Sequence, residues 1–403
     1  MQRNRGRQRA RVVIAGGGVA SLEASLVLQS LATGLAEVEV VAPDSEFTYR
    51  PLAVAEPFRA AEVKRFPLRT LVERAGARLR PGRVAEVDAD RTAVLVQGDE
   101  ERTTIPFDFL LLAPGAKAEE AVPNALTFRG PQDIGAFRRL LAEVERGEVS
   151  RVAFAVPGGV AWPLPLYELA LLTANYAADT GIRDLEISIV TPESAPLGIF
   201  GSEASEAVRE LLQIREVRLQ TNATPRGFGD GQLNVAPQGS VHADRVVALP
   251  RLAGVSIEGI PHDRAGFVLV DEHARVLGVE SVYAAGDATQ FPIKQGGIAA
   301  QQADAAAEAI AGAAGADIEP APFRPVLRGL LLTGMFPRYL RAEVGKGVSS
   351  VDAAPLWWPP AKIVGRHLAP FLAEQLGIAD EFAGGAPEGA IAVNVQLDAV
   401  PVA

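Results

Sequence analysis

The apolar positions of this chain follow one plan twice. The run "RVVIA" leads into three glycines, then into the amphipathic stretch "VASLEASLVLQSL", then into the apolar "VEVV". That order predicts strand, glycine turn, helix and strand, a βαβ unit. About 140 residues later the plan returns as "RVAFAVPGGVAWPLPLYELALLTANYA" and "DLEISIV". The repeat predicts an internal duplication of a dinucleotide-binding fold. Between the two units, "FDFLLLAPGAK" predicts a buried strand ending in a Pro-Gly turn, and "ADRVVALPRLAG" repeats that pattern after the second unit.

Further on, "VYAAGDATQ" predicts an apolar strand ending at Gly286-Asp287. It runs through "FPIKQGG" into an alanine-rich helix, Ile298–Ala314. "IEPAPFRP" has the composition of a linker. Beyond it, "VLRGLLLTGMFPRYLRAEV" predicts a strand hairpin turning near Thr333-Gly334. "WWPPAKIVGRHLAPFLAEQ" predicts an aromatic loop and a short helix, and the last ~20 residues lack periodicity and are expected to be loosely held. The fold class expected is α/β: two Rossmann-like three-layer dinucleotide-binding domains plus a C-terminal α+β segment. The boundaries expected are 11–116 with 243–318 for the first, discontinuous domain, 117–242 for the second, and 319–403 for the C-terminal segment.

Composition removes several function classes. With 403 residues and 48% hydrophobic content, the chain has the material for two or three cores. A net charge of −10 argues against a nucleic-acid partner. The arginines of the opening "MQRNRGRQRAR" read as a solvated tail and, lacking an apolar run, not as a secretory signal. No cysteine occurs, so disulfides and thiolate nucleophiles are excluded. His242, His262, His273 and His367 are scattered without metal-ligand spacing, so no metal site is expected. No run of 18 apolar residues predicts a membrane span.

The first glycine turn has the chemistry of a phosphate cradle. Gly16 permits a tight turn, Gly18 lets a pyrophosphate approach the backbone, and Ser21 stands small where a third glycine is usual. The helix that follows aims its N–H groups at the phosphates. The acid that usually ends the second strand is missing at Ala42, and Asp44, two residues on, is the substitute or a solvated turn residue. Asp287 is a carboxylate suited to a sugar-alcohol hydroxyl. Free amides around Gly297 and Ile298, at the start of the late helix, are placed to stabilise negative charge on a reduced ring, with Lys294 assisting or merely solvated.

Taken together, "RVVIAGGGVASLEA", "LLLAPGAK" and "VYAAGDATQFPIKQGGIAAQQ" resemble the two-dinucleotide-domain flavoproteins. Within them the chain is most similar to the branch of sulfide:quinone oxidoreductases and type II NADH:quinone dehydrogenases, over roughly residues 10 to 380. The resemblance implies FAD, with Gly16, Gly18 and Ser21 at the pyrophosphate and Val84 meeting the adenine through its backbone. Ala113, Pro114 and Gly115 would line the cofactor, and Gly286 and Asp287 would hold its ribityl end. Tyr49, Arg50 and Pro51 of "FTYRPL" match the segment beside the flavin ring, loop packing being the alternative for the first two.

Two departures shape the functional expectation. Sulfide:quinone oxidoreductases take up sulfur on cysteines, and this chain has none. The NADH enzymes need a second working glycine turn, and here the fingerprint positions fall near Ala161, Pro163 and Leu166. Gly158 and Gly159 come too early, and Pro163 and Pro165 have no N–H to offer a phosphate. The strand ends in Thr191, with Glu193 two residues on. Trp162 and Tyr167 are then either pocket-lining residues facing the flavin or core. Near the end, Phe336, Trp357, Trp358 and Phe371 offer aromatic surface for a membrane, for the flavin domain or for a dimer partner.

The expectation is an FAD-dependent oxidoreductase passing electrons from a small-molecule donor to a quinone or another carrier, with no side chain assigned to acid–base catalysis. Its rivals are an NAD(P)H dehydrogenase with an atypical loop and a flavin-binding scaffold without turnover. NAD(P)H is thus an open second cofactor against which the loop argues. Peripheral membrane contact and a homodimer stay open, and the expected location is cytoplasmic, with the inner face of the membrane as a variant.

Overall fold

The computed structural model describes residues 9–98, 101–237, 239–382 and 390–392. Arg3, Arg5 and Arg7 of the basic tail, and most of the last twenty residues, lie outside them. Arg9 and Arg11 are spent on the protein itself. Arg9 pairs with Glu37 at 3.6 Å, and Arg11 grips Asp108 through two bonds of 3.1 and 3.0 Å.

The helices are α1 (Val19–Leu31), α2 (Leu68–Arg74), α3 (Ile134–Glu145), α4 (Leu164–Thr180), α5 (Ser202–Ile214), α6 (Gly296–Ala314) and α7 (Leu368–Gln375). Five parallel strands form the first sheet, in the spatial order Val282–Ala284, Phe109–Leu112, Ala10–Ala15, Ala36–Ala42, Arg78–Pro81. The strand Ala10–Ala15 is flanked on both sides, with Val12 opposite Val38 and Phe109. Its continuous apolar run follows from burial of both faces. Val12 and Ile14 point into a core with α1 and α6. Val13 and Ala15 point the other way, into a core shared with the antiparallel strands Arg83–Asp88 and Ala93–Gln97.

The second sheet repeats that three-layer plan. Its parallel order is Leu126–Thr127, Arg245–Ala248, Arg151–Ala155, Glu186–Val190, Arg218–Gln220. Val152 and Phe154 face α3 and α4, and Ala153 and Ala155 face the antiparallel strands Thr224–Gly229 and Gln232–Ala236. The architecture is mixed α/β with two Rossmann-like parallel sheets.

Beyond them the expected hairpin is present, Val326–Leu331 against Arg338–Glu343, extended by Val348–Asp352. Leu327, Leu331 and Leu340 bury against the second sheet's helices. Helix α7 covers only the end of "WWPPAKIVGRHLAPFLAEQ". Trp357–Trp358 pair as a short parallel strand with Ile391–Ala392, and residues 359–367 run as an irregular strap that meets α1 and α6. Helix α6 begins at Gly296, ahead of the expected Ile298, because the Gln295 side chain caps it.

Candidate functional site

The glycine turn is built by close approach. Gly16 has φ +127°, and a Cβ there would lie 2.1 Å from the carbonyl oxygen of Ala113. Only glycine lets the first turn touch the Ala113-Pro114-Gly115 turn in this way. Gly18 differs: a Cβ there would meet nothing within 4 Å. It is the N-cap of α1 and offers no side chain to the first-turn amides. Ser21 is fully buried one turn further on, and its Oγ has no partner. Gly286 (φ +76°) packs against the same helix start, a Cβ there falling 3.4 Å from that of Ala20. The turns carrying Gly16, Ala113 and Gly286 therefore converge at the carboxyl ends of adjacent parallel strands, the place where open α/β sheets take ligands. Open space above Gly18, uncapped amides and an orphaned buried hydroxyl are features that fit a pyrophosphate.

Val84 lies at one edge of this convergence, buried on its strand. Beside it, Pro43, Pro81, Gly82, Arg83, Gln97 and Gly98 line a cleft of about 410 Å³. Asp44 is exposed next to Pro43, on the same side. Asp287 sits at the other edge, where burial pushes its carboxyl above the usual range against the pull of Lys294 and Arg50. Lys294 is itself pushed down, to about 8, by burial that outweighs Asp287 and Asp263. Its ammonium donates to the Thr289 carbonyl and lies 3.9 Å from the centre of the Phe267 ring.

One expectation at α6 needs correction. The Ile298 amide is not free, since it donates to Gln295 Oε1 at 2.8 Å. A polar cap within reach takes an orphan helix amide before any ligand does. The Gln295 amide nitrogen in turn donates to the Arg328 carbonyl at 3.0 Å. Of the two positions, Gly297 remains the candidate donor.

The segment Tyr49-Arg50-Pro51 meets the C-terminal strap. Tyr49 Oη accepts from the Ile363 amide at 3.0 Å, and burial raises this phenol to about 12. The Pro51 carbonyl accepts from Lys362 Nζ at 3.4 Å. Lys362 also pairs with Glu168 of α4 at 2.6 Å, the side chains being 8% and 1% exposed. Glu168 Oε1 further accepts from the Leu332 amide at 2.9 Å. Burial raises the Glu168 carboxyl, and the Lys362 charge opposes that rise. Sequence reasoning missed Glu168, Lys362 and Gln295. A usable signal existed for the first, a single acid inside the apolar run "LYELALL".

The second turn is filled by its own side chains. Tyr167 is wholly buried and does not line an open pocket, which corrects that reading of it. Its hydroxyl donates to Glu193 Oε2 at 2.8 Å, and Thr191 Oγ1 donates to the same oxygen at 2.9 Å. Trp162 packs edge-on against Phe200, ring centres 5.7 Å apart. The C-terminal aromatics also divide. Trp357 is core, 5.1 Å from Tyr339 and 1% exposed, so it offers no surface. Phe371 packs on the α1/α6 core and Trp358 is half-buried. Phe336 is 73% exposed at the hairpin tip, beside the exposed Met335.

Residues 10–308 match the family "Pyridine nucleotide-disulphide oxidoreductase". The chain belongs to that family. Its members are flavin-dependent oxidoreductases. Among curated relatives, the type II NADH:quinone oxidoreductase NdhA of Mycobacterium tuberculosis is 25% identical over 323 residues, 70% of this chain and 67% of that one. The sulfide:quinone oxidoreductase of Aquifex aeolicus shares the fold with a TM-score of 0.78 and 17% identity, over 95% of this chain and 99% of that one. NDH2 of Plasmodium falciparum, solved with NADH, aligns at TM-score 0.58 and 17% identity, over 70% of this chain and 65% of its own. At these structural identities the likeness is one of fold.

Proposed function

We propose that this protein is an FAD-dependent oxidoreductase that works without cysteine chemistry. The observation that carries the reading is the convergence of the Gly16, Ala113 and Gly286 turns on open space above Gly18. The α1 amides and Gly18 hold the pyrophosphate there. Val84 and the cleft beside it take the adenine, and Asp44 the adenosine ribose. Asp287 accepts from the ribityl chain, and the residues from Tyr49 to Pro51 border the ring with Gly297. Bound there, the flavin supplies two-electron transfer between a small-molecule donor and an acceptor such as a quinone. The protein's own part is to bind, orient and exclude water. No thiolate takes part, because the chain has no cysteine. The filled second turn supports a donor other than NAD(P)H.

The likeness to NdhA favours a second reading, an NADH dehydrogenase whose loop binds the nucleotide in another way. Among the described residues no helix is long and apolar enough to cross a membrane. We assign any peripheral membrane contact to the hairpin tip at Met335 and Phe336.

The test is the absorbance spectrum of the purified protein, taken before and after anaerobic additions of dithionite, NADH and quinones in turn. A flavin band, slow bleaching by NADH and reoxidation by quinone are the expected results. A protein that stays colourless after FAD is supplied overturns the proposal. Fast bleaching by NADH selects the second reading. A flavin that quinones reoxidise no faster than oxygen does selects a scaffold without turnover.

A further inference from the structure

Glu23 stands in the middle of α1 with its side chain fully buried. A carboxylate in such a place is tolerated only when hydrogen-bonded. Its oxygens accept from the His367 and Leu368 amides, both at 2.7 Å. Those amides open α7, so Glu23 caps that helix from a distant part of the chain. It satisfies orphan donors and faces the positive end of the helix dipole. The fit is close: a Cβ on Gly365 would come within 2.4 Å of Glu23 Oε2.

A second acid faces the first. Asp304 of α6 is buried, its carboxyl shares a hydrogen bond with Glu23, and its Oδ1 has no partner. Two buried carboxyl groups in contact cannot both ionise. Burial raises the Glu23 carboxyl too, but the His367 and Leu368 amides oppose that rise and Asp304 has no such donors, so the shared proton resides on Asp304, which donates it to Glu23. Glu23 is the titratable group that α1 brings here. Helix α6 adds Glu308, and the strap adds Arg366 and His367, with Arg366 3.7 Å from Glu308. Burial first, then the negative charges of Glu23 and Glu308, hold the Asp304 proton well above the usual carboxylate range, and Arg366 opposes them. Burial lowers His367, which therefore supplies no compensating charge in the alkaline range.

The strap held by this pair also carries Lys362 and Ile363, whose partners are Glu168, Pro51 and Tyr49. We propose that Glu23 and Asp304 are positioning residues of a proton-dependent latch, which holds residues 361–375 down over α1 and α6 and loosens when Asp304 ionises. The latch stands apart from the flavin reading.

The sign follows from proton linkage. The closed strap binds the Asp304 proton more tightly than the open strap does. Closure is therefore complete below the ordinary Asp range and weakens as the pH rises from there to the raised Asp304 value, by about tenfold per pH unit.

The test is amide hydrogen exchange of residues 361–376 in the full chain between about pH 6 and about pH 10, normalised to the unfolded chain. Wild-type protection is expected to fall with pH by about tenfold per unit, while residues 151–155 of the second sheet stay protected. Asp304→Asn keeps a donor at every pH, so its protection should be flat. Glu23→Gln should lose protection at every pH. Flat wild-type protection, or an Asp304→Asn variant as pH-dependent as wild type, overturns the latch. Infrared spectroscopy of the wild type gives a readout that survives failure of either variant to fold. A protonated carboxyl band that persists above neutral pH and fades over the range in which residues 361–376 lose protection is expected, which sets Asp304 apart from the raised carboxyls of Glu168, Glu193 and Asp287, and its absence overturns the proposal.

Discussion

The Tyr167 hydroxyl donates to Glu193 Oε2 across 2.8 Å, closing the crevice between α4 and the end of the strand Glu186–Val190. Burial, then the Glu193 charge, pushes the phenol far above its ordinary value, so it stays a donor at every accessible pH. Burial also raises the Glu193 carboxyl, and Oε1 already lacks a partner. Tyr167→Phe should therefore destabilise the protein by roughly 1–3 kcal/mol, the cost of leaving a buried acceptor short of a donor. Urea unfolding measures it. The same variant should gain no NADH binding, because the phenyl ring still fills the space.

Gly16 and Gly18 should respond differently to the same substitution. Gly16→Ala drives a Cβ into the Ala113 carbonyl at a left-handed φ, so the turn must move and both stability and flavin content should fall. Gly18→Ala meets open space at φ −91°, so the fold should keep its melting temperature. Its methyl projects toward the proposed pyrophosphate, and FAD affinity should drop on the order of tenfold. Thermal unfolding and flavin titration separate the two effects. A Gly18→Ala protein that keeps full affinity removes the pyrophosphate from that turn.

Lys362→Met leaves Glu168 buried without its cation. Breaking one side of such a pair costs roughly 3–5 kcal/mol. Replacing both, with Lys362→Met and Glu168→Leu, should recover most of that loss, since the uncompensated charge goes with it. Chemical denaturation of the two single variants and the double variant measures the coupling.

Asp244 sets an acid limit. Burial pushes its carboxyl up, but the Ser150 and Arg151 amides and the Arg151 guanidinium pull harder, down to about 2. Its contribution to stability is present above the ordinary Asp value and is lost as the pH falls toward about 2. Asp244→Asn should lower stability at neutral pH and flatten its decline in acid, as read from denaturation midpoints across the acid range.

Phe336→Ser at the exposed hairpin tip should change stability by less than about 0.5 kcal/mol. If the tip touches lipid, the variant should also sediment less with anionic vesicles. Unchanged sedimentation takes the tip out of any membrane contact.

The backbone plan was legible because it is written in local order. The continuous apolar runs of "RVVIA" and "RVAFA" encode strands covered on both faces, and Gly16 and Gly286 mark turns that close approach demands. The Thr333-Gly334 turn and the alanine-rich α6 were read in the same way. The misreadings concern side chains that choose between partners. Ile298 was expected to offer its amide and gives it to Gln295. Trp357 was expected at a surface and lies in the core. Aromatic character alone does not say which way a residue faces when its segment has no period.

By itself, then, the sequence determined the duplicated βαβ plan, the first glycine turn and the absence of cysteine, since each depends on residue type and short-range spacing. Tertiary structure alone decided that Glu23 caps α7 across 344 residues of chain, that Glu168 finds Lys362 across 194, and that Tyr167 closes the second crevice. A buried polar group is stable only beside a complementary partner, and the packing of distant segments, not the spacing along the chain, puts that partner within reach.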